Sequence, residues 1–282
     1  MSIQTVGVVG AGAMGNGIAH VFARSGYQVV LCDVEQTFLD RALESIAKNL
    51  EREAAKGKIT AAERQAALQR IAPTVERAEL ASADFLVEAA TEKLEIKAAL
   101  FRQIDALCRP DVILASNTSS ISITKLAALT GRPARVIGMH FFNPVPVMKL
   151  VEVIRGLATS QETFQVVKDL AEKLGKTPVE VHDSPGFVSN RVLMPLLNEA
   201  MFAVMEGVAT PEAVDEIFKL GMAHPMGPLR LADFIGLDVC VDILRVLEDG
   251  LGDPKYRPCP LLLRMVDAGW HGKKSGRGFY AY

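Results

Sequence analysis

The chain has 282 residues, of which 49% are hydrophobic and 23% charged, and its formal net charge is −2. This composition is typical of a soluble globular protein. Lysine and arginine are spread along the chain, so neither nucleic acid nor an acidic membrane surface is expected as a partner. At this length one hydrophobic core usually becomes two, and we therefore look for two domains.

The cysteines indicate whether the protein binds a metal, and the apolar segments indicate in which cellular compartment it lies. Cys32, Cys108, Cys240 and Cys259 show neither a C-x-x-C pair nor metal-ligand spacing, which predicts free thiols in a reducing compartment and no metal site. The opening "MSIQTVGVVG" reads as the approach to a strand rather than a secretory leader. No segment reaches the ~18 apolar residues of a membrane span, so we expect a cytoplasmic protein without a membrane anchor.

The first two thirds of the chain alternate short β-branched runs with longer helical patterns, which predicts a parallel sheet covered by helices. A charged helical stretch at 37–70 breaks near Gly57 and predicts two helices that interrupt the alternation. The predicted fold class is α/β: a Rossmann-like doubly wound sheet with a helical excursion, over residues 1–184. Strands are predicted at 5–10, 28–33, 84–90, 112–116, 135–142, 150–154 and 178–183.

The pattern changes at "DSPGF" (183–187), and only helical segments follow. Thr210 and Pro211 suit the N-cap and first position of one of them. The predicted helices cover 186–206, 210–220, 229–235, 237–250 and 260–268, before a glycine-rich tail at 272–282. We expect residues 185–282 to form an all-α substrate and dimerisation domain. Several apolar faces, as in 192–205, favour a homodimer.

The segment "VGVVGAGAMGNGIAH" (6–20) has the spacing G-x-G-x-x-G between a predicted strand and a predicted helix. Such a loop binds a pyrophosphate at the helix N-terminus. The second strand ends in Asp33, which suits a ribose 2′-hydroxyl and repels a 2′-phosphate, so NAD is favoured over NADP. The glycines alone do not exclude FAD or a purely structural turn. The predicted cofactor loop consists of Gly10, Ala11, Gly12, Ala13, Met14 and Gly15.

Polar residues lie at or just beyond the carboxyl ends of the predicted strands 84–90, 112–116 and 135–142. Ligands of doubly wound sheets bind beyond the carboxyl ends of the strands, so we expect these side chains to converge there. Taken singly, each has a structural interpretation: Ser and Thr cap helices, Asn before Pro starts a turn, and a lone His is more often a core residue. The residues are Thr91, Glu92, Ser116, Asn117, Thr118, Ser119, Ser120, His140 and Asn143.

His140 and Glu152 are twelve positions apart, on either side of a segment that Pro144 and Pro146 prevent from being helical. If they lie on neighbouring strands joined by a proline-containing turn, the carboxylate lies beside the imidazole. That arrangement fixes the tautomer and raises the basicity of a general base. The pattern alone fits a structural ion pair equally well.

Five motifs, in this order, resemble the L-3-hydroxyacyl-CoA dehydrogenase family over essentially the whole chain. They are "VGVVGAGAMGNGIAH", "SNTSSISI", "GMHFFNPVPVMKLVEVI", "DSPGFVSNRVL" and "HPMGPLRLADFIGLD". The likeness is closest to the short bacterial members, with no fused hydratase module. It implies NAD-dependent oxidation of a (S)-3-hydroxyacyl-CoA to the 3-oxoacyl-CoA, and the reverse, mainly on short chains such as 3-hydroxybutanoyl-CoA.

The resemblance also implies residue roles on the substrate side. His140 matches the catalytic histidine and Glu152 the carboxylate partnered with it. Ser119 matches the serine that hydrogen-bonds the substrate near the reacting oxygen. Asn143 and Asn190 match two asparagines that line the same pocket.

On the cofactor side, Glu92 and Lys97 match positions near the nicotinamide, and Asn117 belongs to the same group. Lys274 in the tail matches a lysine on the cofactor side, and Lys56 a basic residue near coenzyme A. The charge pattern around Lys56 by itself fits a solvated helix face. Two of the substrate-side residues, Ser119 and Asn143, are also expected to contact the cofactor.

Two other functions fit parts of the sequence. A gulonate-type hydroxy-acid dehydrogenase shares the architecture, but a free sugar acid needs no helix pair at 37–70 for coenzyme A. A catalytically silent NAD(H)-binding protein, such as a redox sensor or a crystallin-like protein, would not need the His140–Glu152 pair.

Overall fold

The computed structural model describes residues 3–282. The chain forms two compact units, one ending at Asp183 and the other comprising Ser184–Tyr282. Within the described residues, no helix combines the length and the apolar character needed to cross a bilayer.

The first unit contains an eight-stranded sheet in the order β3-β2-β1-β4-β5-β6-β7-β8. Every neighbouring pair is parallel except β6 and β7, which are antiparallel. This arrangement confirms the predicted Rossmann-like doubly wound sheet, with one antiparallel pair that the alternating pattern did not indicate. The strands are β1 (Thr5–Val9), β2 (Gln28–Cys32), β3 (Ile71–Thr74), β4 (Phe85–Glu88), β5 (Ile113–Ser116), β6 (Val136–Phe141), β7 (Leu150–Arg155) and β8 (Thr177–His182).

Six α-helices accompany this sheet in the described part of the first unit. The predicted excursion is confirmed as a pair of helices, the first ending before Gly57, whose positive φ of 67° suits glycine. The second begins with a capping box between Thr60 and Glu63. The helices are α1 (Ala13–Arg24), α2 (Gln36–Ala55), α3 (Ala61–Gln69), α4 (Leu94–Leu107), α5 (Ile123–Ala127) and α6 (Gln161–Lys173).

Strand β3 is absent from the predicted elements. It has only four residues, begins directly after the charged helical stretch and contains Pro73. Proline removes a backbone donor and is tolerated at a sheet edge, which is where β3 lies beside β2. A run this short, with a strand-breaking residue, carries too weak a pattern to be predicted.

The second unit is helical, as predicted. Its first helix begins at Ser189, later than expected, because Gly186 and Phe187 have positive φ values of 71° and 52°. Thr210 caps the next helix by accepting a hydrogen bond from Ala213 N, as its sequence predicted. The helices are α7 (Ser189–Met205), α8 (Pro211–Gly221), α9 (Pro228–Ile235), α10 (Leu237–Leu251) and α11 (Pro260–Asp267).

Asp215 joins three parts of the second unit. Its buried carboxylate on α8 accepts hydrogen bonds from the Leu229 and Arg230 amides at the start of α9, at 2.8 and 3.0 Å. It also accepts one from the Tyr280 hydroxyl at 2.7 Å. Burial, and then this carboxylate, raise the pKa of Tyr280. One side chain therefore caps a helix and holds the C-terminal tail.

Asp215→Ala should lower the free energy of unfolding by about 3 kcal/mol, because two amides lose their acceptor and the part-buried Tyr280 hydroxyl keeps only the Pro211 carbonyl. Urea unfolding monitored by circular dichroism would measure the shift in midpoint. Glu216→Ala is the matched control, since Glu216 is the exposed neighbour on the same helix. Equal midpoints for the two variants would contradict this role of Asp215.

Candidate active site

The loop between β1 and α1 has the shape that a bound pyrophosphate requires. Gly10 has a φ of 101°, and a Cβ there would lie 2.6 Å from the Ala89 carbonyl oxygen. A Cβ at Gly15 would lie 1.7 Å from the Gly10 oxygen, so neither position accepts a side chain. A Cβ at Gly12 would meet nothing within 4 Å. Gly12 therefore leaves open space at the N-terminus of α1, where helix geometry favours an anion.

Asp33 follows β2 and is held in place by two backbone amides. Its Oδ2 accepts a hydrogen bond from Ala11 N, and its Oδ1 accepts one from Val34 N at 2.6 Å. The first of these bonds joins the carboxylate directly to the glycine loop. A fixed negative charge at this position suits a ribose hydroxyl and disfavours a phosphate.

A cavity of about 590 Å³ adjoins the glycine loop. It includes the predicted Gly10, Gly12 and Asp33, and its other walls are largely apolar, which suits a flat aromatic base. The sequence did not single out Val34, Phe38, Arg77, Ile96 and Leu100 as lining residues. Val34 and Phe38 have a usable signal, because Val34 lies just beyond β2 and Phe38 lies in the first turn of the next helix, α2. Arg77 follows the unpredicted β3 and has no such signal. The complete lining is Val9, Gly10, Gly12, Ala13, Met14, Cys32, Asp33, Val34, Phe38, Arg77, Ala89, Ala90, Thr91, Ile96 and Leu100.

A buried ion pair lies at the carboxyl end of β4. Glu88 is 0% and Lys97 1% exposed, and Lys97 Nζ lies 2.7 Å from Glu88 Oε1. The second Glu88 oxygen accepts a hydrogen bond from the Ser116 hydroxyl at the end of β5, at 2.7 Å. The sequence did not mark Glu88, because a single acidic residue at a strand end has no pattern. In the structure Lys97 forms an ion pair with Glu88. Its role near the nicotinamide stays a prediction.

Glu92 organises the loop that follows β5. Its Oε1 accepts hydrogen bonds from the Ser119 and Ser120 amides at 2.8 and 3.1 Å, and from the Thr118 hydroxyl. Lys97 Nζ lies 3.3 Å from its other oxygen. Burial raises the pKa of Glu92, but the Lys97 charge and these hydrogen bonds outweigh burial and hold the pKa below its usual range. Glu92 and Ser119, both predicted site residues, are therefore in direct contact.

His140 and Glu152 meet across β6 and β7. They are directly opposed in the antiparallel register, and His140 Nδ1 lies 2.8 Å from Glu152 Oε2. Both are buried, at 8% and 3% exposure. The neighbouring Phe142 ring lies 4.7 Å from the imidazole, centroid to centroid. The strand arrangement on which the sequence hypothesis depended is thus present, and the side chains touch.

Asn117 and Asn143 occupy different settings near this pair. The Asn117 side chain accepts a hydrogen bond from Phe141 N at 2.9 Å and so joins the ends of β5 and β6. Asn143 lies exposed at the start of the turn that connects β6 to β7. Cofactor contact by Asn117 and contact of Asn143 with cofactor and substrate stay predictions.

Three predicted residues lie elsewhere in the chain. Lys56 is the exposed C-cap residue of α2, at the end of the helical excursion. Asn190 is the second residue of α7, and Lys274 lies in the tail of the second unit, 2.6 Å from Asp238. The assigned roles of all three stay predictions.

Both parts of the chain match the 3-hydroxyacyl-CoA dehydrogenase family. Residues 5–184 match its NAD binding domain and residues 186–282 its C-terminal domain. The chain therefore belongs to this family of NAD-dependent oxidoreductases, and its cofactor is NAD. The glycine loop, Asp33 and the adjoining cavity fit that cofactor.

Individual relatives are similar over nearly their full length. The "Probable 3-hydroxybutyryl-CoA dehydrogenase" of Bacillus subtilis is 58% identical, covering 100% of this chain and 98% of the relative. The 3-hydroxybutyryl-CoA dehydrogenase of Bradyrhizobium diazoefficiens is 52% identical, with 99% and 96% covered. The crystal structure of (S)-3-hydroxybutyryl-CoA dehydrogenase from Ralstonia eutropha has a TM-score of 0.97 at 51% identity, with 100% and 99% covered.

Asp33→Asn should reduce the preference for NADH over NADPH at least tenfold, because a charge that repels the 2′-phosphate is removed. Tenfold corresponds to about 1.4 kcal/mol, which is modest for relieving a like-charge contact. Fluorescence titration of both cofactors gives the ratio of dissociation constants without requiring turnover. Asp40→Asn, on the exposed side of α2, is the control. An unchanged ratio in Asp33→Asn would show that Asp33 does not select the cofactor.

Proposed function

We propose that this protein oxidises (S)-3-hydroxybutanoyl-CoA to acetoacetyl-CoA with NAD, and catalyses the reverse reduction with NADH. Family membership supports the reaction class. The names of the relatives from Bradyrhizobium diazoefficiens and Ralstonia eutropha support the four-carbon substrate. The observation that carries the proposal is the contact between His140 and Glu152, because this reaction needs a proton acceptor for the substrate hydroxyl.

The proposed mechanism gives His140 the role of general base. Since Nδ1 contacts Glu152, we assign Nε2 to the hydroxyl on C3 of the substrate. His140 takes the hydroxyl proton while the hydride leaves C3, and the C–O bond becomes a carbonyl. NAD supplies the hydride acceptor. In the reverse direction the imidazolium returns its proton to the forming hydroxyl.

Glu152 stabilises the imidazolium that forms in this step. Its carboxylate is buried beside the ring, where it fixes the ring orientation through the contact with Nδ1. We assign Ser119, Asn143 and Asn190 to the oxygens of the substrate, which they hold by hydrogen bonds. Glu92 supports this assignment for Ser119, because it binds the serine amide and fixes the loop.

The test of this function is the loss of NADH absorbance when acetoacetyl-CoA is added to the purified protein. We expect turnover with the thioester and none with free acetoacetate, because the family acts on coenzyme A esters. Cofactor binding without any turnover would overturn the proposal and favour a catalytically silent NAD(H)-binding protein. Turnover of free hydroxy acids instead would favour the gulonate-type alternative.

His140→Gln should lower kcat by about 10²–10⁴, the usual contribution of a positioned general base, while the dissociation constant of NADH stays within twofold. Glu152→Gln should lower kcat as well, because the imidazolium loses its counter-charge. His182→Gln is the control, since His182 is an exposed histidine at the end of another strand. Wild-type rates in His140→Gln would remove this residue from the mechanism.

We also propose that the protein forms a homodimer through its second unit. Ile217, Leu220 and Met222, at the end of α8 and just beyond it, are 56%, 77% and 60% exposed. Three large apolar side chains exposed within six residues favour a contact with another molecule. Sedimentation equilibrium should give twice the monomer mass of 30.5 kDa. The monomer mass at micromolar concentration would contradict the dimer.

A further inference from the structure

Lys176 is a buried lysine with no part in the chemistry proposed above. It lies between α6 and β8, where the chain is fixed on both sides. Gly175 takes the left-handed conformation with a φ of 73°, and Lys176 N donates to the Ala171 carbonyl at 3.0 Å. These two features close α6 in a Schellman motif. The next residue, Thr177, donates to the Lys149 carbonyl at 2.7 Å, so the backbone of Lys176 has little freedom.

The Lys176 side chain reaches the turn that connects β6 to β7. Its Nζ donates to the Met148 carbonyl at 2.8 Å and also to the Val145 carbonyl. Both carbonyls belong to the segment 142–149, which starts one residue after the strand that carries His140. The amine therefore joins two points of a turn that has only two internal backbone hydrogen bonds, from the Val147 and Met148 amides to the Pro144 carbonyl.

Val145 gives the turn a second point of attachment. Its side chain is 2% exposed and packs on α1, where a Cβ at Gly17 would lie 2.8 Å from Val145 Cβ. Gly17 belongs to the helix that opens with the glycine loop. Lys176 and Gly17 thus hold the turn from two sides. Asn143 lies in the chain between the end of β6 and this attachment, two residues before Val145.

The charge of Lys176 is poorly compensated. Burial, and then the positive charge of Arg24, lower its pKa to about 8, and Glu53 opposes this shift. Arg24 and Glu53 pair with each other at 3.0 Å, and the buried His20 lies 3.6 Å from the same carboxylate. Because its pKa in the folded protein is below the usual 10.5, protonated Lys176 costs stability at neutral pH. A methionine of similar length would avoid that cost but could not donate to the two carbonyls.

We propose that Lys176 is a positioning residue for the active site: by binding the Val145 and Met148 carbonyls, it fixes the turn and hence the position of Asn143, three residues after His140 in the chain. This inference rests on the proposed function, since it needs Asn143 and His140 to act on the substrate. Lys176 contacts neither of them and acts through the backbone of the turn.

Lys176→Met in the full-length protein should lower kcat with acetoacetyl-CoA by about tenfold to hundredfold, because small displacements of positioning groups have effects of this size. The dissociation constant of NADH should stay within twofold. Lys176→Arg keeps donors for both carbonyls and should recover at least half of the loss on a logarithmic scale. Lys173→Met, which changes the exposed last residue of α6 three positions before Lys176, should match wild type. A kcat within twofold of Lys173→Met, or cofactor affinity that falls as much as kcat, would overturn the proposal.

Hydrogen–deuterium exchange tests the attachment without turnover. The Val147 and Met148 amides should exchange at least tenfold faster in Lys176→Met than in Lys173→Met, while amides of β6 stay unchanged. Unchanged exchange in the turn would overturn the proposal even if activity fell. If Lys176→Met does not fold, Lys176→Arg replaces it. A kcat and turn-amide exchange rates equal to those of wild type support the role of the donors. A lowered kcat together with faster exchange contradicts it. An inactive wild-type protein with the expected exchange would reject the proposed function instead.

Discussion

The buried pair of Glu88 and Lys97 is the constraint on which the arrangement of the site depends. Neither charge contacts solvent, and an unpaired charge in such a setting costs several kcal/mol. Glu88 therefore has to meet Lys97 from α4 and the Ser116 hydroxyl from β5 at once. This requirement fixes β4, β5 and α4 relative to one another at the carboxyl ends of the strands. Lys97 extends the constraint to Glu92, which in turn binds the loop that contains Ser119.

Further polar contacts link the strands from β5 to β7. Asn117 joins the ends of β5 and β6 through the Phe141 amide, and the next pair of strands brings His140 to Glu152. In each case a hydrogen bond between largely buried groups fixes one strand end relative to its neighbour. A site built on strand ends in this way holds its side chains more precisely than one built on loops alone. This precision matters for a reaction in which hydride and proton leave the same carbon–oxygen unit.

Much of this arrangement follows from the sequence by simple rules. Alternating strands and helices predict the doubly wound sheet, and the rule that ligands bind at carboxyl ends predicts that Glu92 and Ser119 lie together, as they do. What escapes prediction has weak local signals. Strand β3 is four residues long and contains Pro73, so Arg77, which follows it into the cavity wall, escapes as well. Glu88 resembles any acidic residue at the end of a strand, and only the three-dimensional structure shows that it is buried.

The meeting of His140 with Glu152 also depends on a register that the sequence leaves open. Side chains alternate along a strand, so a slip of one residue would turn Glu152 to the other face of the sheet. In a two-residue hairpin the turn type sets the register, but eight residues separate β6 from β7 here and allow several registers. In the observed register the turn makes contacts outside the hairpin, namely Val145 against Gly17 and Lys176 on two turn carbonyls. Two prolines and a twelve-residue spacing do not choose among these registers, and the contacts that the turn makes with distant residues have no signal in the local sequence.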